Sequence, residues 1–213
     1  MKKLLLPALA LLIALPLAAS AGILSDDEGE LSAQAAYFFP GDGDFDLFDY
    51  GIGSEVSYRE WVAFPWGVGL SLGCATWSAD DKANAYKIAG ASDYDGDVTT
   101  IPLGLHFYFN VIDWDNWNVI LQTGFRYVLV DSDVDFVYDG HRRKVDMDND
   151  LLWDIALEYD HSLSENIFLT LTGGFQTDVI KAESSYKDAN GSHDLRDTSF
   201  EAFFARAGIK ILF

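Results

Sequence analysis

One cysteine, Cys74, stands in a chain of 213 residues, so an internal disulfide is excluded and neither stability nor compartment can be argued from cystine pairing. No cysteine follows the apolar run at the N-terminus, which excludes a lipoprotein-type anchor. Beyond residue 21 no stretch approaches the roughly 20 uninterrupted apolar residues of a transmembrane helix. Any membrane insertion must therefore use strands. Basic residues are also scarce, 14 Lys and Arg against 34 Asp and Glu for a formal charge of −20. That balance excludes nucleic acid as a partner, because phosphate binding draws on concentrated Lys and Arg. A nucleophile elbow, a glycine-rich phosphate loop and Cys/His zinc spacing are all missing. No catalytic residue and no cofactor is expected.

The N-terminus supplies an address. Lys2 and Lys3 precede an apolar run over residues 4–18, and Ala19-Ser20-Ala21 fits the small-x-small rule of signal peptidase. Residues 1–21 are expected to be a cleaved signal peptide, with a mature barrel domain over 22–213; retention of the segment as an anchor is the alternative. The acidic stretch 22–29 reads as a flexible periplasmic lead-in.

The rest of the chain is rich in aromatic residues, with 6 Trp, 10 Tyr and 15 Phe, and reads with period two. Eight segments alternate apolar with small or polar residues: 31–39, 50–58, 66–76, 101–109, 117–129, 151–159, 167–176 and 203–213. In the last, Phe203, Ala205, Ala207, Ile209, Ile211 and Phe213 alternate with Arg206, Gly208 and Lys210. A strand with one lipid face and one filled face needs this pattern, and most of these segments are close to the nine to eleven residues of a tilted membrane strand. Such strands survive in lipid only inside a closed barrel, since an open edge leaves backbone groups without partners. The prediction is all-β: an eight-stranded antiparallel up-and-down transmembrane barrel. A soluble β-sandwich with core aromatics is the competing reading.

Connector lengths alternate as such a barrel requires, long outside and short on the periplasmic side. Residues 40–49, 78–97, 131–150 and 178–197 are long and polar; 59–65, 110–116 and 160–166 are short. Aromatic residues gather toward both ends of the lipid-facing rows, where amphipathic rings prefer the headgroup level. Pro102, inside the fourth strand, cannot donate to a ladder and calls for a bulge or irregularity near the rim.

Eight strands enclose an interior that side chains can fill. The inward rows put Glu55, Asp154 and Glu158 together with Arg126, Arg206 and Lys210, a balanced set of six charges expected to pair and, with Gln34, His106, Tyr108 and Gln122, to plug the lumen. A gated proton or ion path is the other reading of the same residues. Phe38, Phe200, Phe204 and Leu212 also fall inward, marking either an apolar pocket or a shift of register; an apolar lateral path would favour a channel.

The four long connectors carry 21 acids and 8 bases. Asp42, Asp44 and Asp46, and likewise Asp131, Asp133 and Asp135, alternate, and Asp93, Asp95 and Asp97 come nearest to a fragment of a calcium loop, though without its terminal Glu. They read either as solvated loop acids or as weak divalent-cation ligands. His141-Arg142-Arg143-Lys144 is the basic cluster of the loops, suited to lipid phosphate or an acidic partner, or to offsetting the surrounding Asp. His161, Ser162 and Ser164 have the residue types of an esterase but adjoin in sequence within a periplasmic turn.

With its signal, its eight alternating segments and its ending Ala207-Gly208-Ile209-Lys210-Ile211-Leu212-Phe213, the chain resembles the small eight-stranded outer-membrane barrels typified by OmpX and the transmembrane domain of OmpA. The resemblance implies a bacterial outer-membrane location, a monomer, and contact with outer-membrane lipids and lipopolysaccharide. It also implies that Phe213 is a signal read by the barrel-assembly machinery. Fold does not fix function: a structural or surface-interaction barrel acting through acidic loops is expected, with a narrow channel for small solutes, or less readily a lipid-modifying enzyme, as alternatives.

Overall fold

The computed structural model describes residues 29–40, 48–79, 92–180, 183–188, 191–194 and 199–213. The expected signal peptide, most of the acidic lead-in and the cluster Asp42, Asp44 and Asp46 lie outside the described residues. The eight long strands are β1 (Gly29–Pro40), β2 (Phe48–Ala63), β3 (Trp66–Ala79), β5 (Asp97–Trp114), β6 (Trp117–Ser132), β9 (Asp150–Ser164), β10 (Ile167–Ile180) and β13 (Ala202–Leu212). They close in the order β1-β13-β10-β9-β6-β5-β3-β2. Every neighbour pair is antiparallel, and β1 joins β13 from Glu30↔Leu212 to Pro40↔Ala202, so the barrel has no free edge.

Alternation sets which residues face out. Leu70, Leu105, Phe107, Leu157 and Leu171 are exposed on the outer surface, while their strand neighbours of the other parity are buried. Exposed apolar residues in that number would be untenable in water, and a hydrocarbon surround removes the penalty. Rings collect at both ends: Tyr37, Phe39 and Tyr50, with Phe175 against Phe203, at one; Trp66 against Phe109, Trp114 against Trp117, and Tyr58 near Phe213 at the other.

At the end that carries Tyr58 and Phe213 the connections are tighter than the sequence suggested. β2, β5 and β9 run on to Ala63, Trp114 and Ser164, leaving two-residue turns. The polar residues of 59–63, 110–114 and 160–164 therefore belong to strands rather than to turns, because inward polarity is as compatible with a strand as outward polarity is with a turn.

The opposite end also departs from expectation. The long connectors contain five further strands, β4 (Ser92–Asp95), β7 (Asp135–Tyr138), β8 (His141–Met147), β11 (Ser184–Asp188) and β12 (Gly191–Asp194), which form a second sheet in the order β12-β11-β8-β7-β4. The β7–β8 hairpin turns on Asp139-Gly140, both at positive φ (51° and 72°), the two-residue turn whose twist suits a hairpin. This roof is fastened to the barrel by a shared core: Val134, Phe136, Val145, Met147 and Tyr186 from the roof side pack in one cluster with Phe48, Trp77, Val98, Val128, Leu152 and Phe200.

Candidate functional site

Three layers fill the lumen from the roofed end downward. The uppermost is apolar. Phe38, Trp77, Phe200 and Phe204 converge, with ring centroids 4.8 Å apart for Phe38–Trp77, 5.5 Å for Trp77–Phe200 and 6.2 Å for Phe38–Phe204. Phe200 lies between β10 and β13 rather than in a strand, and polar contacts hold its backbone. Its N–H donates to Asp178 Oδ1 at 3.1 Å, and its carbonyl accepts from Gln176 Nε2 at 2.7 Å. Ser199 Oγ donates to Asp178 Oδ2. The void left among these rings and the charges beneath is about 20 Å³, room for a single water, so the chamber is filled by its own side chains.

The wall of this chamber is interrupted. Pairing of β3 with β5 runs from Trp66↔Phe109 to Leu72↔Leu103 and resumes at Ala75↔Thr100, which leaves Gly73 and Cys74 unpaired opposite Ile101 and Pro102. Pro102 brings no N–H to the ladder. A Cβ on Gly73 would stand 2.9 Å from Pro102 Cγ, so glycine is what admits the ring. On its other side Pro102 keeps its place opposite Val128. The irregularity expected near the rim thus lies in the wall itself, beside a pocket lined by Gly73, Cys74, Pro102, Phe38, Phe200 and Phe204.

Below the rings, Arg126 bridges Glu55 and Asp154, and Arg206 reaches the other oxygen of Glu55. His106 Nε2 lies 3.3 Å from Asp154 Oδ2. The imidazole is fully buried because a glycine makes room for it: a Cβ on Gly124 would collide with His106 Cδ2. Gln34 adds bonds to Thr170 at 3.2 Å and Thr172 at 3.1 Å. Two guanidinium groups and two carboxylates balance here, which is what a low-dielectric interior demands of charges it retains.

The floor is a second ionic cluster. Arg59 Nε donates to Glu30 Oε2 at 2.6 Å, and the Arg59 guanidinium lies 3.0 Å from Glu158 and 3.7 Å from Asp160. Lys210 Nζ meets Asp160, and lies 3.3 Å from Glu30 and 3.6 Å from Glu158. Trp61 Nε1 donates to the second Glu30 oxygen at 2.7 Å, and Arg59 stacks over the Tyr108 ring at 4.7 Å.

All six charges read as lumenal are buried, but they divide between layers: Glu55, Arg126, Asp154 and Arg206 in the middle, Glu158 and Lys210 in the floor. Glu30 joins them from the position between the lead-in and the first alternating segment, and Arg59 and Asp160 from segments that read as turns. A signal for them exists in the sequence, since Glu30 keeps phase with Ser32 and Gln34, Arg59 with Glu55 and Ser57, and Asp160 with Asp154 and Glu158. Leu212 is half-buried at the floor end, and Phe213, exposed, exchanges backbone hydrogen bonds with Gly29 at 3.0 and 3.1 Å.

Some of the loop acids pair with bases. Arg142 donates to Asp135 at 2.7 Å and lies 4.0 Å from Asp95, and Lys144 donates to Asp133 at 2.8 Å. Lys144 holds the Asp133 carboxyl below its usual range and is itself raised by it. Asp93 lies in β4 and Asp97 opens β5. Among the described residues no three His, Cys, Asp or Glu side chains come together as a metal ion requires. Ser162 Oγ donates to the Ser164 carbonyl at 2.9 Å, and the His161 ring contacts Tyr159 at 3.5 Å, so this trio does not assemble as a nucleophile and base.

No protein-family model matches the sequence, and no curated protein does. Solved structures do. The chain resembles the outer membrane protein OprG from Pseudomonas aeruginosa, with a TM-score of 0.65 at 13% identity over 87% of this chain and 95% of that one. The fold is that of a small outer-membrane barrel. A major outer membrane protein from Thermus thermophilus aligns with a TM-score of 0.58 at 14% identity, covering 87% of this chain and 99% of that one. The outer membrane protein AlkL aligns with a TM-score of 0.57 at 10% identity, over 87% of this chain and 90% of that one. In an outer-membrane barrel the short turns are periplasmic and the long connectors external, so the roof and apolar chamber face outward and the ionic floor faces the periplasm.

Proposed function

We propose that this outer-membrane barrel takes small apolar solutes from the outside into its upper chamber and releases them sideways into the bilayer, while the two ionic layers bar a watery route to the periplasm. The observation that carries this reading is the unpaired stretch Gly73–Cys74 against Ile101–Pro102, set directly beside the aromatic chamber. A polar solute would have to displace Arg126, Arg206 and their carboxylates, leaving charges uncompensated in a dry interior at a cost of several kcal/mol. An apolar solute need only displace rings and emerge among lipid tails of its own polarity. Phe200 is the ring placed to move, because its backbone is held by the side chains of Gln176 and Asp178 and not by a strand ladder.

The same reading takes residues 1–21 as the cleaved signal, Phe213 as the mark for the barrel-assembly machinery, and lipopolysaccharide and lipid as the surroundings of a monomer. The roof sheet supports a second role, a surface platform: five paired strands present ordered charge where inert loops would present none.

Uptake tests the first role. Cells making the barrel should accumulate an alkyl-chain fluorophore faster than control cells, with no change for a sugar of similar size. Faster sugar entry, or porin-like current steps in planar bilayers, would contradict it.

A further inference from the structure

The two ionic layers differ in charge count. In the middle layer two arginines meet two carboxylates; in the floor Arg59 and Lys210 meet three, Glu30, Glu158 and Asp160, and every one of the five side chains is buried. Fully ionised, the floor therefore carries one uncompensated negative charge on buried side chains, an arrangement that proteins avoid by neutralising the group. No other charge facing it among the described residues makes up the difference. Across from it β5 offers the Tyr108 ring and the exposed acid Asp113, the register partner of Asn118; β6 offers the neutral Asn118 and Gln122, and β10 Phe168 and Thr170. Along β2 and β13 the next lumenal charges, Glu55 and Arg206, are paired with each other, and Glu60, on the other face of β2, accepts from Tyr58 at 2.8 Å.

Two floor oxygens lack a hydrogen bond: Glu158 Oε1, which still faces Arg59 at 3.0 Å and Lys210 at 3.6 Å, and Asp160 Oδ1. Both cations approach Asp160 at Oδ2, whereas Oδ1 of this fully buried residue has no hydrogen-bond partner. Its register partner across β6–β9 is Asn118, whose Oδ1 is likewise buried without a donor. Two neighbouring acceptors lacking a donor are both satisfied by a single O–H.

We propose that the floor is a proton-binding site: one proton, carried on Asp160 Oδ1, completes the cluster of Glu30, Arg59, Glu158, Asp160 and Lys210 and donates toward Asn118. The bound proton leaves as alkaline solution reaches the periplasmic mouth, and the floor then holds its surplus charge. Binding is reversible O–H formation on a carboxylate, with water or hydroxide as the exchanging partner.

Infrared difference spectra of the barrel in bilayers test this by following the protonated-carboxyl stretch between neutral and alkaline pH. The wild type should lose one such band on alkalinisation, in Na⁺-free and Na⁺-containing buffer alike. Asp160→Asn should lack it. Glu158→Gln, which removes the surplus charge and leaves Asp160 in place, should lack it as well, and this second variant reads the same point should the first not fold. Asn118→Leu should keep the band and shift its frequency, because the acceptor is gone. A wild type without the band at neutral pH, a band unchanged in Asp160→Asn, or a band that disappears on adding Na⁺ or Ca²⁺ at neutral pH would overturn the proposal, the last by showing that a metal cation supplies the balance.

Discussion

The upper and lower halves of the lumen are built by the same device and filled with opposite chemistry. Both use every second residue of the same eight strands, yet above Glu55 the inward positions include Phe38, Trp77, Val98, Val128, Leu152 and Phe204, and from Glu55 down most of the inward side chains are polar or charged. The contrast teaches that closure of the wall and closure of the passage are separate matters. The wall is closed by backbone pairing, which is indifferent to side chains. The passage is closed above by rings, which can rotate aside, and below by paired charges, which cannot part without leaving each other bare.

The largest effect is expected in the lower half. Arg126→Ala removes the bridge between Glu55 and Asp154 and leaves both carboxylates buried; a loss of about 3–5 kcal/mol is predicted for a broken buried pair, read from urea unfolding in lipid vesicles by tryptophan fluorescence. Small-ion leak should rise at the same time. In the upper half, Phe200→Ala deletes a fully buried ring and should cost about 3 kcal/mol, at the low end for Phe→Ala, because the segment that carries it can partly collapse. This variant should also take up the alkyl-chain fluorophore faster with no added ion leak, whereas Arg126→Ala should show the reverse. If both variants leaked ions equally, the distinction between a soft and a hard seal would fall.

The smallest effect belongs to the roof. Asp133 and Lys144 are largely exposed, so removing their bond by Lys144→Ala should change stability by at most about 1 kcal/mol and less in high salt. The sign with pH follows from the two directions. Asp133 is lowered on folding, so its contribution is present above its unfolded value and is lost as pH falls through the folded one. Lys144 is raised, so its contribution is present below its unfolded value and is lost as pH rises through the folded one. The pair therefore helps most between the unfolded values of about 4 and 10, and the difference between wild type and K144A should shrink on acidification below that window.

The strands of the barrel were legible because lipid on one side and a filled lumen on the other impose strict alternation over nine or more residues, as in Ile101, Leu103, Leu105, Phe107 and Phe109. The ends were not. Arg59, Asp113 and Asp160 look like turn residues until the inward face is known to be charged, and polarity alone does not say whether a residue meets water or an ion partner. The roof is hidden for a related reason: its strands run for only four to seven residues and alternate Val145 and Met147 with charged neighbours, a pattern too short to stand out among so many aspartates. Pro102 stands out as irregular, but its consequence depends on Gly73 lying opposite, a fact of register that no single segment contains. The inward phenylalanines, Phe38, Phe200 and Phe204, are visible as exceptions to a polar lumen, and it is their meeting with Trp77 that makes them a chamber.

A sideways exit stands or falls with the seam between β3 and β5, and Cys74 offers a way to lock it. By the register on either side of the gap, Ile101 lies opposite Cys74, so I101C places a second thiol across the seam. Uptake of the alkyl-chain fluorophore should fall to the level of cells lacking the barrel when I101C is oxidised and recover on reduction, with the wild type indifferent to both treatments. Undiminished uptake through the cross-linked barrel would contradict a sideways exit.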